Sequence, residues 1–219
     1  MNKQATILFQ GDSITDCGRP YDLEGKNYCE SLGHGYVKIL AGRIPVTFPE
    51  NRWRIINRGL SGNKVTQLCG RWQVDTLNHR PDILSILIGV NDVWHGLPGD
   101  GKEYNGVNPV HFERTYRLLL DFTMETLPKV KLILGEPFLL KGTAWTGEFA
   151  DGVAERQAIV KRIAKDFDAG FVRYQSAFDK ALDDMRVDDL APDGVHPTNL
   201  GNTVMADAWM QVFEELQSG

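Results

Sequence analysis

The chain has 219 residues, of which 42% are hydrophobic and 24% charged, and its formal net charge at pH 7 is -5. This length suits a single domain over residues 1–219 with a substantial buried core. The acidic balance leaves no basic excess to attract nucleic acid or an anionic membrane, so neither is an expected partner. Composition leaves open whether copies of the chain associate into a homo-oligomer.

The N-terminal segment and the cysteines indicate a compartment. The apolar run at residues 5–9 is shorter than the hydrophobic region of a secretion signal, and no stretch of the sequence approaches membrane-spanning length. The three cysteines, Cys17, Cys29 and Cys69, have no metal-ligand spacing, which favours reduced thiols in a cytoplasmic protein. A Cys17–Cys29 disulfide is the alternative.

Apolar, β-branched runs alternate with helical patterns, which is typical of a parallel sheet covered by helices on both faces. The sequence therefore predicts an α/β protein with three α/β/α layers and a five-stranded, flavodoxin-like sheet. The predicted strands cover residues 6–9, 54–57, 83–88, 131–134 and 170–173. The predicted helices cover residues 36–43, 64–77, 109–127, 153–168, 174–185 and 199–216. Two long Gly-rich loops, residues 18–35 and 97–108, are expected to form walls of a site.

The first predicted strand ends at Gly11 and delivers Ser13 at the start of a loop, where a nucleophile is commonly placed. Near the other end of the chain stand Asp193 and His196, so the order is Ser, Asp, His. In a turn before a helix, residues three apart can face each other. The Asp193 carboxylate can then hold one ring nitrogen of His196 and leave the other for Ser13. Together these residues indicate serine-hydrolase chemistry.

Two further polar clusters, at residues 57–63 and 89–94, follow the second and third predicted strands. In an open parallel sheet, ligands bind beyond the carboxyl ends of the strands, where the strand order reverses. Acyl transfer needs hydrogen-bond donors aimed at the developing oxyanion. Gly59 lets a substrate approach its backbone N–H closely, and Asn91 offers an uncharged side-chain N–H. The sequence therefore places an oxyanion site beside Ser13.

These motifs resemble the four sequence blocks of the SGNH, or GDSL-type, hydrolases, a family named for its Ser, Gly, Asn and His. The blocks are GDSI at 11–14, Gly59, GVND at 89–92 and DGVH at 193–196. More narrowly, the segments that resemble intracellular acetylxylan esterases, which deacetylate xylo-oligosaccharides, are GDSITDCGR at 11–19, GYV at 35–37, GLSGN at 59–63 and GVNDVW at 89–94.

The resemblance implies a role for each matching residue. Ser13 would be the nucleophile, His196 the general base and Asp193 the residue that orients it. The oxyanion hole would consist of the backbone N–H groups of Ser13 and Gly59 and the side chain of Asn91. The implied activity is removal of small acyl groups, above all acetyl, from a carbohydrate ester through an acyl-enzyme intermediate, with no cofactor.

Four residues are predicted to contact substrate: Asp12, Trp94, Tyr104 and Trp145. The three aromatic side chains can stack on sugar faces, although loop aromatics more often pack against the body of a protein or against a neighbouring subunit. The loops at residues 97–108 and 140–150 are expected to border the leaving-group side of the site.

Other chemistries have less support in the sequence. Thr15 stands where the G-x-S-x-G elbow requires glycine, and no GxxxxGK[ST] loop is present. No two of the five histidines have zinc-site spacing, so the prediction is no metal. The alternatives are a thioesterase, lysophospholipase or arylesterase of the same fold, and a carbohydrate-binding protein without turnover. Taken one at a time, the motifs are also consistent with plain turns and helix caps.

Overall fold

The central sheet decides where the site lies. The computed structural model of the protein describes residues 4–21, 29–98 and 104–218. Its strands are all parallel: β1 (Gln4–Gly11), β2 (Arg52–Asn57), β3 (Ile83–Leu87), β4 (Lys131–Gly135) and β5 (Gly170–Val172). They are arranged in the order β2-β1-β3-β4-β5, so the strand order reverses between β1 and β3. This confirms the predicted α/β class and the flavodoxin-like sheet.

Helices cover both faces of the sheet. In chain order they are α1 (Ser13–Asp16), α2 (Tyr36–Thr47), α3 (Val65–Asp75), α4 (Val90–Trp94), α5 (Pro109–Thr126), α6 (Gly147–Asp166), α7 (Tyr174–Ala181), α8 (Val187–Leu190) and α9 (Asn199–Ser218). Short 3-10 turns occupy Cys29–Leu32 and Leu77–His79. Helices α2, α7 and α9 pack on one face, whereas α3, α5 and most of α6 pack on the other.

The alternation of side chains along β1 explains the two cores. Ile7 and Phe9 point to the layer that contains α2 and α9, while Leu8 points to the layer that contains α3 and α5. All three side chains are fully buried. Such a strand buried on both faces is typical of a parallel sheet. Gly11 at the end of β1 lies opposite Leu87 of β3, so the segments that follow both strands emerge side by side.

Several helix boundaries differ from the predicted ones. Helix α6 begins at Gly147 rather than at residue 153, because the Thr146 side chain caps it by accepting a hydrogen bond from Phe149 N–H (3.1 Å). Helix α7 ends at Ala181, four residues before the predicted end. The sequence analysis did not identify α1, α4 and α8, since helices of four or five residues are too short to show a hydrophobic period.

Two further findings concern the membrane and the cysteines. Among the helices in the described part of the chain, none combines the length and the apolar character needed to cross a membrane. Cys17 and Cys69 carry free thiols. The side chain of Cys29 lies outside what the structure describes.

Candidate active site

Ser13, His196 and Asp193 form a continuous chain of hydrogen bonds. Ser13 is the first residue of α1, directly beyond the end of β1. Its Oγ lies 2.8 Å from His196 Nε2, and His196 Nδ1 lies 2.6 Å from Asp193 Oδ2. The structure therefore brings together the three residues that the sequence predicted as nucleophile, base and orienting acid. This is the geometry by which a hydroxyl can lose its proton to an imidazole.

The loop that carries Asp193 and His196 is stabilised by hydrogen bonds between its own residues. Asp193 Oδ1 accepts hydrogen bonds from the backbone N–H groups of Val195 (2.9 Å) and His196 (2.7 Å). Burial acts to raise the pKa of Asp193, but the bonds from the His196 backbone and ring and from Val195 outweigh it and hold the pKa below its ordinary value. An ionised Asp193 favours a proton on His196 Nδ1 and leaves Nε2 to accept from Ser13.

A second segment of chain braces this loop. The backbone N–H of Leu140 donates to Gly194 O (2.9 Å), and that of Ala144 donates to Asp193 O (3.1 Å). Between these bonds stands Gly142, where any side chain would overlap the Asp193–Gly194 backbone. The glycine is required because two backbones approach each other here without room for a Cβ.

A cavity of about 1220 Å³ opens above Ser13. It lies beyond the carboxyl ends of β1 and β3, at the reversal of strand order. Of the residues that the structure describes, those lining it include no Asp, Glu, Lys or Arg. They are Ser13, Ser61, Gly62, Asn91, Trp94, His95, Leu97, Pro98, Asn105, Ala144, Thr146 and His196.

Both loops expected to border the leaving-group side contribute to this lining. Residues 97–108 supply Leu97, Pro98 and Asn105, and residues 140–150 supply Ala144 and Thr146. The predicted wall at residues 18–35 contributes no lining residue from its described side chains, which are those of residues 18–21 and 31–35. The sequence analysis named none of these five side chains individually.

Asn91 is placed as an oxyanion donor would be. It lies in the first turn of α4 and is 4% exposed, and its side chain borders the cavity together with Ser13. Asn91 Nδ2 donates one hydrogen bond to Asn63 O (3.2 Å), which orients the amide. An amide nitrogen carries two hydrogens, so the second can be donated to a substrate oxygen.

The prediction for Gly59 needs correction. Gly59 N–H donates to the side chain of Asn57 (2.9 Å), and Gly59 is not among the described residues that line the cavity. It is instead packed so closely that a Cβ would overlap the backbone of Asp16. Gly62, three residues later, borders the cavity. Its φ of +77° favours glycine, and a Cβ there would meet only His95 Cε1, at 3.9 Å. The sequence feature that could have identified Gly62 as a residue of the site is its place as the second glycine of the GLSGN segment.

Comparison with known proteins supports this interpretation of the site. The sequence pattern of the GDSL-like lipase/acylhydrolase family matches residues 9–204. The chain belongs to this family. It is 37% identical to an acetylxylan esterase from Geobacillus stearothermophilus over 206 residues, which are 94% of this chain and 92% of that protein.

Solved structures agree with the sequence match. A putative GDSL-like lipase from Parabacteroides merdae has a TM-score of 0.91 and 40% identity, with 97% of this chain and 96% of that chain covered. The acetylxylan esterase Axe2 from Geobacillus stearothermophilus has a TM-score of 0.86 and 34% identity, with the same coverage. This member of the GDSL-like family is a carboxylic ester hydrolase with the SGNH-hydrolase fold.

Of the residues predicted to contact substrate in this GDSL-like hydrolase, only Trp94 borders the cavity among the residues described. Its ring centroid lies 6.0 Å from that of His196 and 5.5 Å from that of Phe149. Trp94 therefore packs against His196 as well as facing the cavity, and part of its ring surface is already covered.

Three of the predicted substrate contacts lie elsewhere. Asp12 is 1% exposed and caps α1 by accepting a hydrogen bond from Ile14 N–H (3.0 Å), so its assignment to substrate binding is wrong. Tyr104 is 70% exposed and lines a neighbouring cavity of about 410 Å³. Trp145 is 39% exposed, with Lys141 Nζ 5.7 Å from its ring centroid. Neither aromatic ring borders the cavity above Ser13 in the described part of the chain.

Two buried carboxyls lie beneath the site of this hydrolase. Burial raises the pKa of Asp12 to about 7, and the nearby Asp92 adds to the shift. Burial likewise raises the pKa of Asp92 to about 7, against the lowering effects of the hydrogen bond from Val65 N–H (3.1 Å) and the charges of Arg156 and Lys64. Both carboxyls are adjacent in sequence to residues of the site, and their role in the structure is to cap and hold its backbone.

Proposed function

We propose that this enzyme removes acetyl and other small acyl groups from carbohydrate esters such as acetylated xylo-oligosaccharides. The observation that carries the proposal is the chain of hydrogen bonds from Asp193 through His196 to Ser13, which ends in a cavity that also contains Asn91. The similarity to acetylxylan esterases supports the choice of substrate class. The free thiols of Cys17 and Cys69 support action in the reducing cytoplasm.

The geometry supports a two-step mechanism. Ser13 Oγ attacks the ester carbonyl carbon while His196 Nε2 accepts the hydroxyl proton. The imidazolium, stabilised by Asp193, then donates that proton to the departing sugar oxygen and leaves an acyl-enzyme. In the second step His196 accepts a proton from water, the resulting hydroxide attacks the acyl carbon, and the carboxylic acid leaves as Ser13 regains its proton.

The oxyanion formed in both steps needs donors that are already in place. We assign these to the Ser13 backbone N–H, the Asn91 side chain and the Gly62 backbone N–H. Ser13 is in the first turn of α1, where backbone N–H groups have no partner within the helix. Gly62 replaces Gly59 in this role because Gly62 borders the cavity, whereas the Gly59 N–H donates to Asn57.

The described lining of the cavity supports a substrate with a polar leaving group. Its volume of about 1220 Å³ is far larger than an acetyl group. Polar side chains, including those of Ser61, His95, Asn105 and Thr146, interrupt its apolar lining. A thioesterase or lysophospholipase would need a continuous apolar trough for a long acyl chain, so the lining favours a sugar ester over a lipid.

The test measures hydrolysis of a panel of esters by the wild-type enzyme and by a variant that lacks the Ser13 hydroxyl. We expect wild-type enzyme to release acetate from acetylated xylo-oligosaccharides and to prefer p-nitrophenyl acetate over the octanoate and palmitate. Ser13→Ala should remain folded and lose at least about 10⁴-fold in kcat. The matched control is Ser176→Ala, on an exposed face of α7, which should retain wild-type activity.

Three results would contradict the proposal, each in a different way. Near-normal turnover by folded Ser13→Ala would exclude Ser13 as the nucleophile. A preference for palmitate would support a lysophospholipase or thioesterase. Binding of the acetylated oligosaccharide without acetate release would support a carbohydrate-binding protein without turnover.

A further inference from the structure

A buried carboxylate behind the cavity gathers three donors on one oxygen atom. Asp16, the last residue of α1, is 1% exposed. Its Oδ2 accepts hydrogen bonds from Ser61 N–H (2.9 Å), from the Ser61 hydroxyl (2.7 Å) and from the Tyr21 hydroxyl (2.6 Å). Two of the three bonds thus hold one residue, Ser61, which borders the cavity immediately before Gly62.

Arg19 strengthens the same attachment. Its backbone N–H donates to Asp16 Oδ1 (3.2 Å), and its Nε donates to the backbone oxygen of Gly59 (2.8 Å). Its guanidinium also lies 4.5 Å from the ring centroid of Tyr21. Asp16, Arg19 and Tyr21 therefore hold the segment from Gly59 to Ser61 from the side away from the cavity. We call these three residues the loop clamp.

The clamped segment is a β-turn whose type decides where one N–H points. Asn63 N–H donates to Leu60 O (3.1 Å), which closes a turn with Ser61 and Gly62 at its centre. Gly62 has a φ of +77°, while Ser61 is not among the described residues with positive φ. This combination is that of a type II turn. Types I and II differ by a flip of the central peptide, and here that peptide carries the Gly62 N–H.

We propose that Asp16 is a positioning residue that selects the type II orientation of the Ser61–Gly62 peptide and so aims the Gly62 N–H at the reacting carbonyl oxygen. By holding Ser61 at both its backbone N–H and its hydroxyl, Asp16 leaves little freedom to the peptide that follows. A flipped peptide would turn the Ser61 carbonyl oxygen to the place where the oxyanion forms, and the two oxygens would repel each other. The inference rests on the proposed function.

The experiment removes the three bonds in graded fashion and measures kcat and KM with p-nitrophenyl acetate. Asp16→Asn places an amide opposite three donors and should lower kcat by about 10- to 100-fold. Ser61→Ala removes one bond and should lower kcat by about 3- to 10-fold, and Tyr21→Phe by about twofold. KM should stay within about twofold in all three variants, because the Gly62 N–H acts in the transition state.

A double variant and a matched control separate positioning from general destabilisation. Ser61→Ala should cost little further kcat in an Asp16→Asn background, since the hydroxyl would have lost its acceptor. The control is Asp82→Asn, which removes an exposed carboxylate that accepts a hydrogen bond from Thr6 N–H (2.8 Å). Asp82 precedes β3, so it lies at the opposite end of the strands from the site. It should lower stability at most and leave kcat unchanged.

Each outcome decides between the two claims. If wild-type turnover depends on Ser13 but folded Ser61→Ala and Tyr21→Phe keep full kcat, or lose only in KM, the role of Asp16 is overturned and the proposed function stands. If Asp16→Asn does not fold, those two variants decide alone. If the wild-type enzyme hydrolyses no acetyl ester, the proposed function and this inference are both overturned.

Discussion

The two loops that build the site obtain their geometry in different ways. In the acid–base loop, residues 193–196, the Asp193 carboxylate accepts both backbone bonds and the ring bond from residues no more than three positions away. In the oxyanion loop, residues 59–63, which carries the proposed oxyanion donor Gly62, a local turn bond from Asn63 N–H to Leu60 O (3.1 Å) is joined by side-chain bonds from other elements. Asp16 holds Ser61, and Arg71 of α3 donates to the side chain of Asn63 (2.8 Å). The side-chain bonds that align Asp193 with His196 are therefore local, although Leu140 and Ala144 also brace their loop. The side-chain bonds that hold residues 59–63 come from α1 and α3.

The difference explains which parts of the site were accessible to sequence analysis. A bond between residues three apart depends on a turn that Asp, Gly and Pro favour wherever they occur. A bond from Asp16 to Ser61 exists only because the sheet brings α1 beside the segment that follows β2. The following predictions test this contrast by breaking each loop in turn, starting with the largest effect.

The acid–base loop should respond most strongly to Asp193→Asn. The amide can donate to His196 Nδ1 and so favour the tautomer in which Nε2 is protonated and cannot accept the Ser13 proton. We expect kcat for p-nitrophenyl acetate to fall by about 10³- to 10⁴-fold with the far-UV circular dichroism unchanged. Asp188→Asn, an exposed carboxylate nearby, should keep wild-type kcat. Wild-type turnover by Asp193→Asn would mean that another group orients His196.

Asn91→Ala should have the next largest effect. It removes one oxyanion donor while Ser13 and His196 remain in place, so kcat should fall by about 10²- to 10³-fold with little change in KM. Steady-state kinetics on p-nitrophenyl acetate give both constants, and the exposed Asn78 offers a matched control as Asn78→Ala. A rise in KM at constant kcat would place Asn91 in ground-state binding instead.

The two glycines of the oxyanion loop should separate catalysis from stability. Gly59→Ala forces a Cβ into the backbone of Asp16 and should lower the free energy of unfolding by more than about 2 kcal/mol. Gly62→Ala has space but places a side chain at a φ of +77°, so it should cost about 1 kcal/mol and lower kcat by about tenfold. Denaturant unfolding and kinetics on both variants test this. The reverse pattern would return the oxyanion role to Gly59.

The prediction with the smallest effect on turnover concerns the stability contribution of Asp12, the buried carboxyl next to Ser13 in sequence. The pKa of Asp12 is about 7 in the fold against an ordinary 3.8, so between these pH values the folded state holds a proton that the unfolded state has lost. The free energy of unfolding should therefore fall as pH rises, by up to about 1.4 kcal/mol per pH unit. Asp12→Asn removes the contribution of Asp12 to this dependence and leaves that of Asp92.

Urea denaturation at pH 5 and pH 8 measures the effect. Asp12→Asn should gain stability relative to wild type as the pH rises from 5 to 8, because the wild type must ionise buried Asp12 as well as Asp92, whereas the variant must ionise only Asp92 of this pair. If wild type and variant differ in free energy of unfolding by the same amount at both pH values, Asp12 does not keep a proton in the folded state.

By itself, the sequence determined the class of the fold and the contact between Asp193 and His196. The five strands were recognisable because each is a short apolar run between turn-forming residues, and both faces of β1 are buried. Asp193 and His196 were recognisable because their contact spans a single turn. Ser13 was recognisable as the residue that follows a strand at the edge where strand order reverses.

Only the tertiary structure decided which groups face the cavity. The buried Asp12 carboxylate caps the first turn of α1 by accepting a hydrogen bond from Ile14 N–H. The Gly59 N–H donates to the side chain of Asn57, whereas Gly62 borders the cavity. The bonds themselves are local, but the position of Gly59 depends on segments far apart in sequence, because Gly59 lies against the backbone of Asp16 and Asn57 Nδ2 donates to Thr15 O (2.6 Å). The sequence alone does not show which of the two glycines, Gly59 or Gly62, packs against α1 and which borders the cavity. That choice is made when β1, β2 and α1 come together.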